Sequence, residues 1–160
     1  MIYLLDVNVL VAMSYACHVH HARTMCWLGD QDRRHPFDRF ATCCITEIGF
    51  VRMASNKKAD LAKTVAAARE DLALLKEEWL TMFLGDPLGA EHLPPWVTRP
   101  AHVTAGHLLS LAAGWGGRLV TLDRRIPGAI LIPKRPDGPM MVGEQMAPYG
   151  VETRYASRLN

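Results

Sequence analysis

Alternating strand-like and helix-like segments predict a single α/β domain built on a mainly parallel sheet. Two further observations support that class. The opening run Ile2–Leu5 is continuously apolar and stops at Asp6, as a strand covered on both faces requires. The 160 residues, 49% hydrophobic and 21% charged, suffice for one buried core and exclude a mainly disordered chain.

The elements follow in order. Residues 2–5 are the expected first and central strand. Residues 9–28 read as a helix closed by Gly29-Asp30, and 31–39, with three arginines, a proline and two aspartates, as a polar loop. Residues 40–44 form a second short strand and 45–54 a helix with Glu47 in its first turn. From 60 to 79 the apolar positions Leu61, Val65, Ala68, Leu72, Leu75 and Trp79 step by 4, 3, 4, 3, 4. That heptad-like seam is too short for a free coiled coil and predicts an antiparallel helical hairpin or a contact between subunits.

Residues 79–84 are a third strand before the Gly/Pro-rich stretch 85–100. Thr104 is a good N-cap for a helix over 105–115, which Gly116-Gly117 stops. Strands at 118–122, ended by Asp123, and at 129–132 complete a domain over 1–132. The proline-rich 133–160 is expected to be an irregular C-terminal extension.

A net charge of +2, from 18 Lys+Arg against 16 Asp+Glu, neither demands nor excludes a nucleic-acid partner. No uninterrupted apolar stretch is longer than Val9–Met13, far short of the ~20 residues that cross a bilayer. A soluble, cytoplasmic protein with no membrane association is expected. Cys17, Cys26, Cys43 and Cys44 contain no C-x-x-C, which argues against a zinc site or a disulfide framework and for buried reduced thiols. His18, His20 and His21 are spaced by two and one, so no two imidazoles share a helical face, and a surface or partner-facing role is expected. Gly114, Gly116 and Gly117 precede a strand instead of following one, which excludes a dinucleotide fingerprint.

Three acidic residues occupy equivalent places: Asp6 after the first strand, Glu47 shortly after the second and Asp123 after the late strand. Ligands bind outside the carboxyl ends of parallel strands, so neighbouring strands would make these carboxylates converge. Converging carboxylates either hold protons or surround a cation, and Mg²⁺ or Mn²⁺ with hard oxygen ligands suits hydrolysis of a phosphodiester. Asn8 and Thr121 are placed either to orient a metal-bound water or the carboxylates by hydrogen bonds, or simply to cap backbone.

The opening I-Y-L-L-D-V-N-V-L-V-A, the run H-V-H-H-A at 18–22, A-T-C-C-I-T-E-I-G-F-V-R at 41–52, H-V-T-A-G-H-L-L-S-L-A at 102–112 and G-G-R-L-V-T-L-D at 116–123 together resemble a PIN domain of the VapC toxin type. The resemblance covers roughly residues 1–132 in the right order. It implies a small parallel sheet flanked by helices and a Mg²⁺- or Mn²⁺-dependent toxin endoribonuclease acting on structured RNA. It also implies a cognate antitoxin and a homodimer whose exposed apolar grooves are taken by an antitoxin segment.

Residue by residue, Asp6, Glu47 and Asp123 match the family's first, second and fourth acidic positions, and Asn8 and Thr121 its supporting polar positions. The third position departs from the pattern: Ala105 stands where an acidic metal ligand belongs. The site is therefore expected to be inactive or weakened. Two origins fit Ala105. One is natural loss in a catalytically silent module that binds RNA or an antitoxin. The other, favoured by the otherwise intact motif, is a deliberate Asp→Ala change made so that a toxic nuclease could be produced. The basic clusters after Asp123, Arg124-Arg125 and Lys134-Arg135, are expected either beside the carboxylates, facing RNA phosphates, or as solvated surface charge, the commoner meaning of such pairs.

Overall fold

A computed structural model describes residues 1–56 and 63–134 of the chain. Its five strands are β1 (Ile2–Leu5), β2 (Arg39–Cys43), β3 (Met82–Leu84), β4 (Arg118–Thr121) and β5 (Ile130–Leu131). All pair in parallel, in the order β3-β2-β1-β4-β5. Five helices flank them: α1 (Val7–Ser14), α2 (His21–Arg34), α3 (Cys44–Ala54), α4 (Val65–Glu78) and α5 (Val103–Gly114). The expected α/β class and the central first strand are both present.

The period of two along β1 sorts its side chains into two apolar layers. Tyr3 and Leu5 join Val9, Leu10, Phe50, Leu72, Leu75 and Trp79 on the face covered by α1, α3 and α4. Leu4 joins Ala41, Leu84, Leu108, Leu111 and Leu119 on the face covered by α5. Register puts Leu4 opposite both Ala41 and Leu119, so β1 is coated on both faces and both edges. Gly117 permits this: a side chain there would put its Cβ 2.5 Å from the Ile2 carbonyl oxygen, where β4 first meets β1.

Several local expectations are corrected. The single helix over 9–28 is two helices, broken at 15–20, where Tyr15 turns extended, buries its ring against Phe50 and donates its hydroxyl to Asp71 at 2.9 Å. Gly29-Asp30 does not stop α2, which continues to Arg34. The absent Gly29 side chain meets open space, so the residue costs only its helix propensity, about 1 kcal/mol, and an Asp30–Arg33 ion pair bridges that turn. Thr104 lies inside α5, whose N-cap is His102.

The heptad-like seam turns mostly into the chain's own core, where α4 packs on α3. Ala68, Leu72, Leu75 and Trp79 are buried in the chain's own core, Val65 is 56% exposed, and Leu61 lies outside the described residues. The thiol expectation is corrected too: Cys43 is buried, but Cys17, Cys26 and Cys44 are free and exposed. The proposed extension from 133 onward is described only as far as 134. Among the described residues no helix is long and apolar enough to cross a membrane.

Candidate active site

Asp6 leaves the end of β1 with its backbone N–H on the Val120 carbonyl, then caps α1 by accepting the Val7 N–H at 2.7 Å. Its second carboxylate oxygen accepts from the Thr121 hydroxyl at 2.6 Å and from Asn8 Nδ2 at 2.8 Å. Asn8 Nδ2 also donates to Thr121 Oγ1 at 3.1 Å, while Asn8 Oδ1 accepts the Leu122 N–H at 3.0 Å. Thr121 Oγ1 further accepts the Asp123 N–H at 3.0 Å. The two readings of Asn8 and Thr121 are thus both realised, since each orients Asp6 and caps the chain that leads to Asp123.

Asp6 and Asp123 share this ledge at the carboxyl ends of β1 and β4. Burial raises the Asp6 pKa, opposed by the hydrogen bonds from Thr121, Val7 and Asn8, and the Asp123 charge raises it further. Asp123 moves the opposite way. Arg125 grips it with Nε at 2.9 Å and Nη2 at 2.8 Å and lowers its pKa, and the His102 charge lowers it too.

Glu47 lies in the first turn of α3, which opens where Cys43 and Thr46 exchange hydrogen bonds between backbone and hydroxyl. Its carboxylate accepts from the buried Thr42 hydroxyl at 2.6 Å and pairs with Lys76 of α4 at 2.5 Å. Glu47 and Lys76 line one end of a groove of about 530 Å³ between α3 and α4, with Ile48, Val51, Val65 and Leu72 among its apolar walls. Among the described residues no three His, Cys, Asp or Glu side chains are grouped to hold an ion, so the expected three-carboxylate cluster is not assembled. Asp6 and Asp123 are together, whereas Glu47 is engaged by Lys76.

Ala105 sits in the first turn of α5 and packs against the Leu4–Leu119 layer, next to Gly106, where any Cβ would lie 2.3 Å from Val97. His102, the cap of that helix, is close enough to act on Asp123, so the α5 N-terminus borders the ledge. Lys76 lies in none of the sequence runs that carry the resemblance, and His102 opens one of them without a role of its own. Lys76 is 29 residues from Glu47 and reaches it only through the packing of α4 on α3.

The donor chemistry suits a hard divalent cation. Two carboxylates in mutual repulsion, one of them largely desolvated, form the kind of site where one or two carboxylates, waters and a substrate phosphate share Mg²⁺. The cation already beside the pair, Arg125 on Asp123, shows the same local demand for positive charge, as Lys76 does at the separate Glu47.

No protein-family model matches the chain. The chain is 37% identical over 139 residues to ribonuclease VapC38 of Mycobacterium tuberculosis, covering 86% of this chain and 94% of that protein. It is 35% identical over 129 residues to ribonuclease VapC39 (75% and 87%) and 36% identical over 137 residues to ribonuclease VapC44 (79% and 92%) of the same organism. Its fold matches the crystal structure of VapBC2 from Rickettsia felis bound to a DNA fragment from their promoter. There the TM-score is 0.51 at 16% identity, covering 82% of this chain and 97% of that one. A five-stranded parallel sheet of this kind, together with relatives of this identity and coverage, places the chain in the VapC ribonuclease family.

Proposed function

We propose that this chain is the toxin endoribonuclease of a toxin–antitoxin pair, hydrolysing phosphodiesters of structured RNA with Mg²⁺ or Mn²⁺ and weakened by Ala105. The observation that carries the proposal is the network in which Thr121 and Asn8 hold the Asp6 carboxylate beside Asp123 at the carboxyl ends of two adjacent parallel strands. Three ribonucleases of the same family over most of the chain support the substrate class.

Asp6 and Asp123 would hold the cation, which supplies charge neutralisation at the phosphodiester. Asp6 is the fixed member, locked by three donors. Asp123 is the adjustable one, able to release Arg125, an exposed side chain, to a phosphate oxygen. Glu47 would join by giving up Lys76, from the first turn of α3, which follows directly on β2, the strand paired with β1. The position of Ala105, in the first turn of α5, would contribute a further carboxylate were one present. The groove between α3 and α4 is the proposed dock for a segment of a cognate antitoxin, and the protein is proposed to form a homodimer.

The test is cleavage of a structured RNA with Mn²⁺ or Mg²⁺. Weak activity abolished by EDTA and by either Asp6→Asn or Asp123→Asn supports the proposal, and activity indifferent to both substitutions refutes it. Ala105 favours a second reading, a silent PIN-like module that binds RNA or an antitoxin, and RNA binding without cleavage after Ala105→Asp would select it.

A further inference from the structure

We infer that the cationic corner formed by the α1–α2 connection, the first turn of α2 and the exit of β5 docks the sugar-phosphate backbone of the RNA, an inference that rests on the ribonuclease reading. Its members are His18, His20, His21, Arg23 and Lys134. The histidines are held in place by their neighbours. The rings of His18 and His20 meet edge to face at 5.5 Å, the His20 N–H donates to His18 Nδ1 at 3.2 Å, and His21 Nδ1 meets the Ala12 carbonyl oxygen at 2.7 Å.

These bonds set the chemistry. His18 Nδ1 accepts, so its proton sits on Nε2, a donor suited to a phosphate oxygen. A carbonyl only accepts, so His21 Nδ1 carries the proton and leaves Nε2 as the nitrogen open to another partner.

Charge is concentrated here without compensation. Burial, then the neighbouring His20, His21 and Arg23, lowers the His18 pKa, and burial, then Arg23 and Lys134, lowers that of His20, so both imidazoles are neutral and the fixed positive charges of the corner are Arg23 and Lys134. Neither Arg23 nor Lys134 forms an ion pair among the described residues, and Arg23 Nε is buried with no acceptor. Like charges held together cost free energy that a polyanion recovers by replacing small counterions.

The corner also adjoins the ledge. The Ile132 N–H donates to the Thr121 carbonyl, and the Thr121 hydroxyl holds Asp6. Lys134 follows two residues later, at most about 7 Å along an extended chain. One strand can therefore touch the corner and the carboxylates together.

The experiment measures affinity for a labelled RNA hairpin by anisotropy across a salt series, with divalent ions withheld so that no cleavage occurs. It compares the full-length parent, Arg23→Gln/Lys134→Gln, the single variant Lys134→Glu at an exposed position, and a control, Arg33→Gln/Arg34→Gln, at the far end of α2. The double variant is expected to bind about tenfold more weakly at low salt, with a salt slope shallower by about 1.4, roughly 0.7 for each phosphate no longer neutralised. Lys134→Glu, which leaves the half-buried Arg23 untouched, is expected to weaken binding in the same direction, and the control is expected to match the parent. Parental affinity and slope in the double variant and in Lys134→Glu would overturn the corner while leaving the ribonuclease reading intact. A parent that binds no RNA would overturn both. Loss of binding to poly-glutamate but not to RNA would overturn the corner in favour of an acidic protein partner.

Discussion

The hydroxyl of Thr121 donates to Asp6 Oδ2 at 2.6 Å across 115 residues of chain. The same oxygen accepts from Asn8 Nδ2 and from the Asp123 N–H, so one side chain couples both carboxylates of the ledge.

Thr121→Val keeps the shape of that residue and removes the hydroxyl. Thr121 is fully buried, so three groups lose a partner, and a cost of about 1–3 kcal/mol is expected in denaturant unfolding. Thr121→Ser should recover most of it. Equal stability of all three proteins would show that the network is incidental.

The pH dependence of Asp6 has a definite sign. Burial raises its folded pKa above the ordinary 3.8, so its contribution to stability is fully present below that value and is lost as pH rises through the raised one. Asp6→Asn, uncharged throughout, should melt above the metal-free parent at pH 7, with the gap closing toward pH 3.8. Asp123, whose folded pKa is lowered, behaves oppositely: its contribution is present above 3.8 and lost as pH falls through the lowered value. Melting curves across pH check both, and a gap for Asp6→Asn that widened on acidification would contradict the burial argument.

Lys76 neutralises Glu47, so a cation that uses Glu47 must displace it. Lys76→Gln should therefore tighten Mn²⁺ binding several-fold by calorimetry while costing about 1 kcal/mol or less of stability, since the pair is part-exposed. Unchanged Mn²⁺ affinity would remove Glu47 from the proposed ligand set.

Ala105→Asp places a carboxylate in the first turn of α5, where the helix dipole favours it by about 0.3–1 kcal/mol. Partial burial against the Leu4–Leu119 layer offsets that gain, so folding should change little. Attraction to a cation ~4 Å away at an effective dielectric near 20 is about 4 kcal/mol before desolvation, and a fraction of it raises occupancy tenfold. Metal-dependent RNA cleavage should rise at least about tenfold and vanish with EDTA. Robust cleavage by the Ala105 parent would show that the remaining carboxylates suffice.

Leu72 is buried between α4 and the sheet, not at a free seam. Leu72→Ala should cost about 2–5 kcal/mol and leave the oligomeric state of the folded protein unchanged by light scattering. Dissociation of a dimer without loss of stability would return this helix to an interface.

The sequence by itself determined the layers and the ledge. A continuously apolar β1 fits the inside of a covered parallel sheet, and an acid just past each strand then emerges at its carboxyl end, so Asp6 and Asp123 were legible as neighbours, whereas Asn8 and Thr121 were left between orienting and capping and Glu47 was expected in a cluster that does not assemble. Only the tertiary structure decided which partner each carboxylate takes. Lys76 reaches Glu47 because α4 packs on α3, Arg125 folds back on Asp123, and His102 closes on the ledge because the stretch before α5 is drawn over Gly106. It also decided that the seam of α4 serves the core and that Gly29 does not end α2. Periodicity states which face of a helix is apolar but not what covers it, and a glycine stops a helix only where the chain has somewhere better to go.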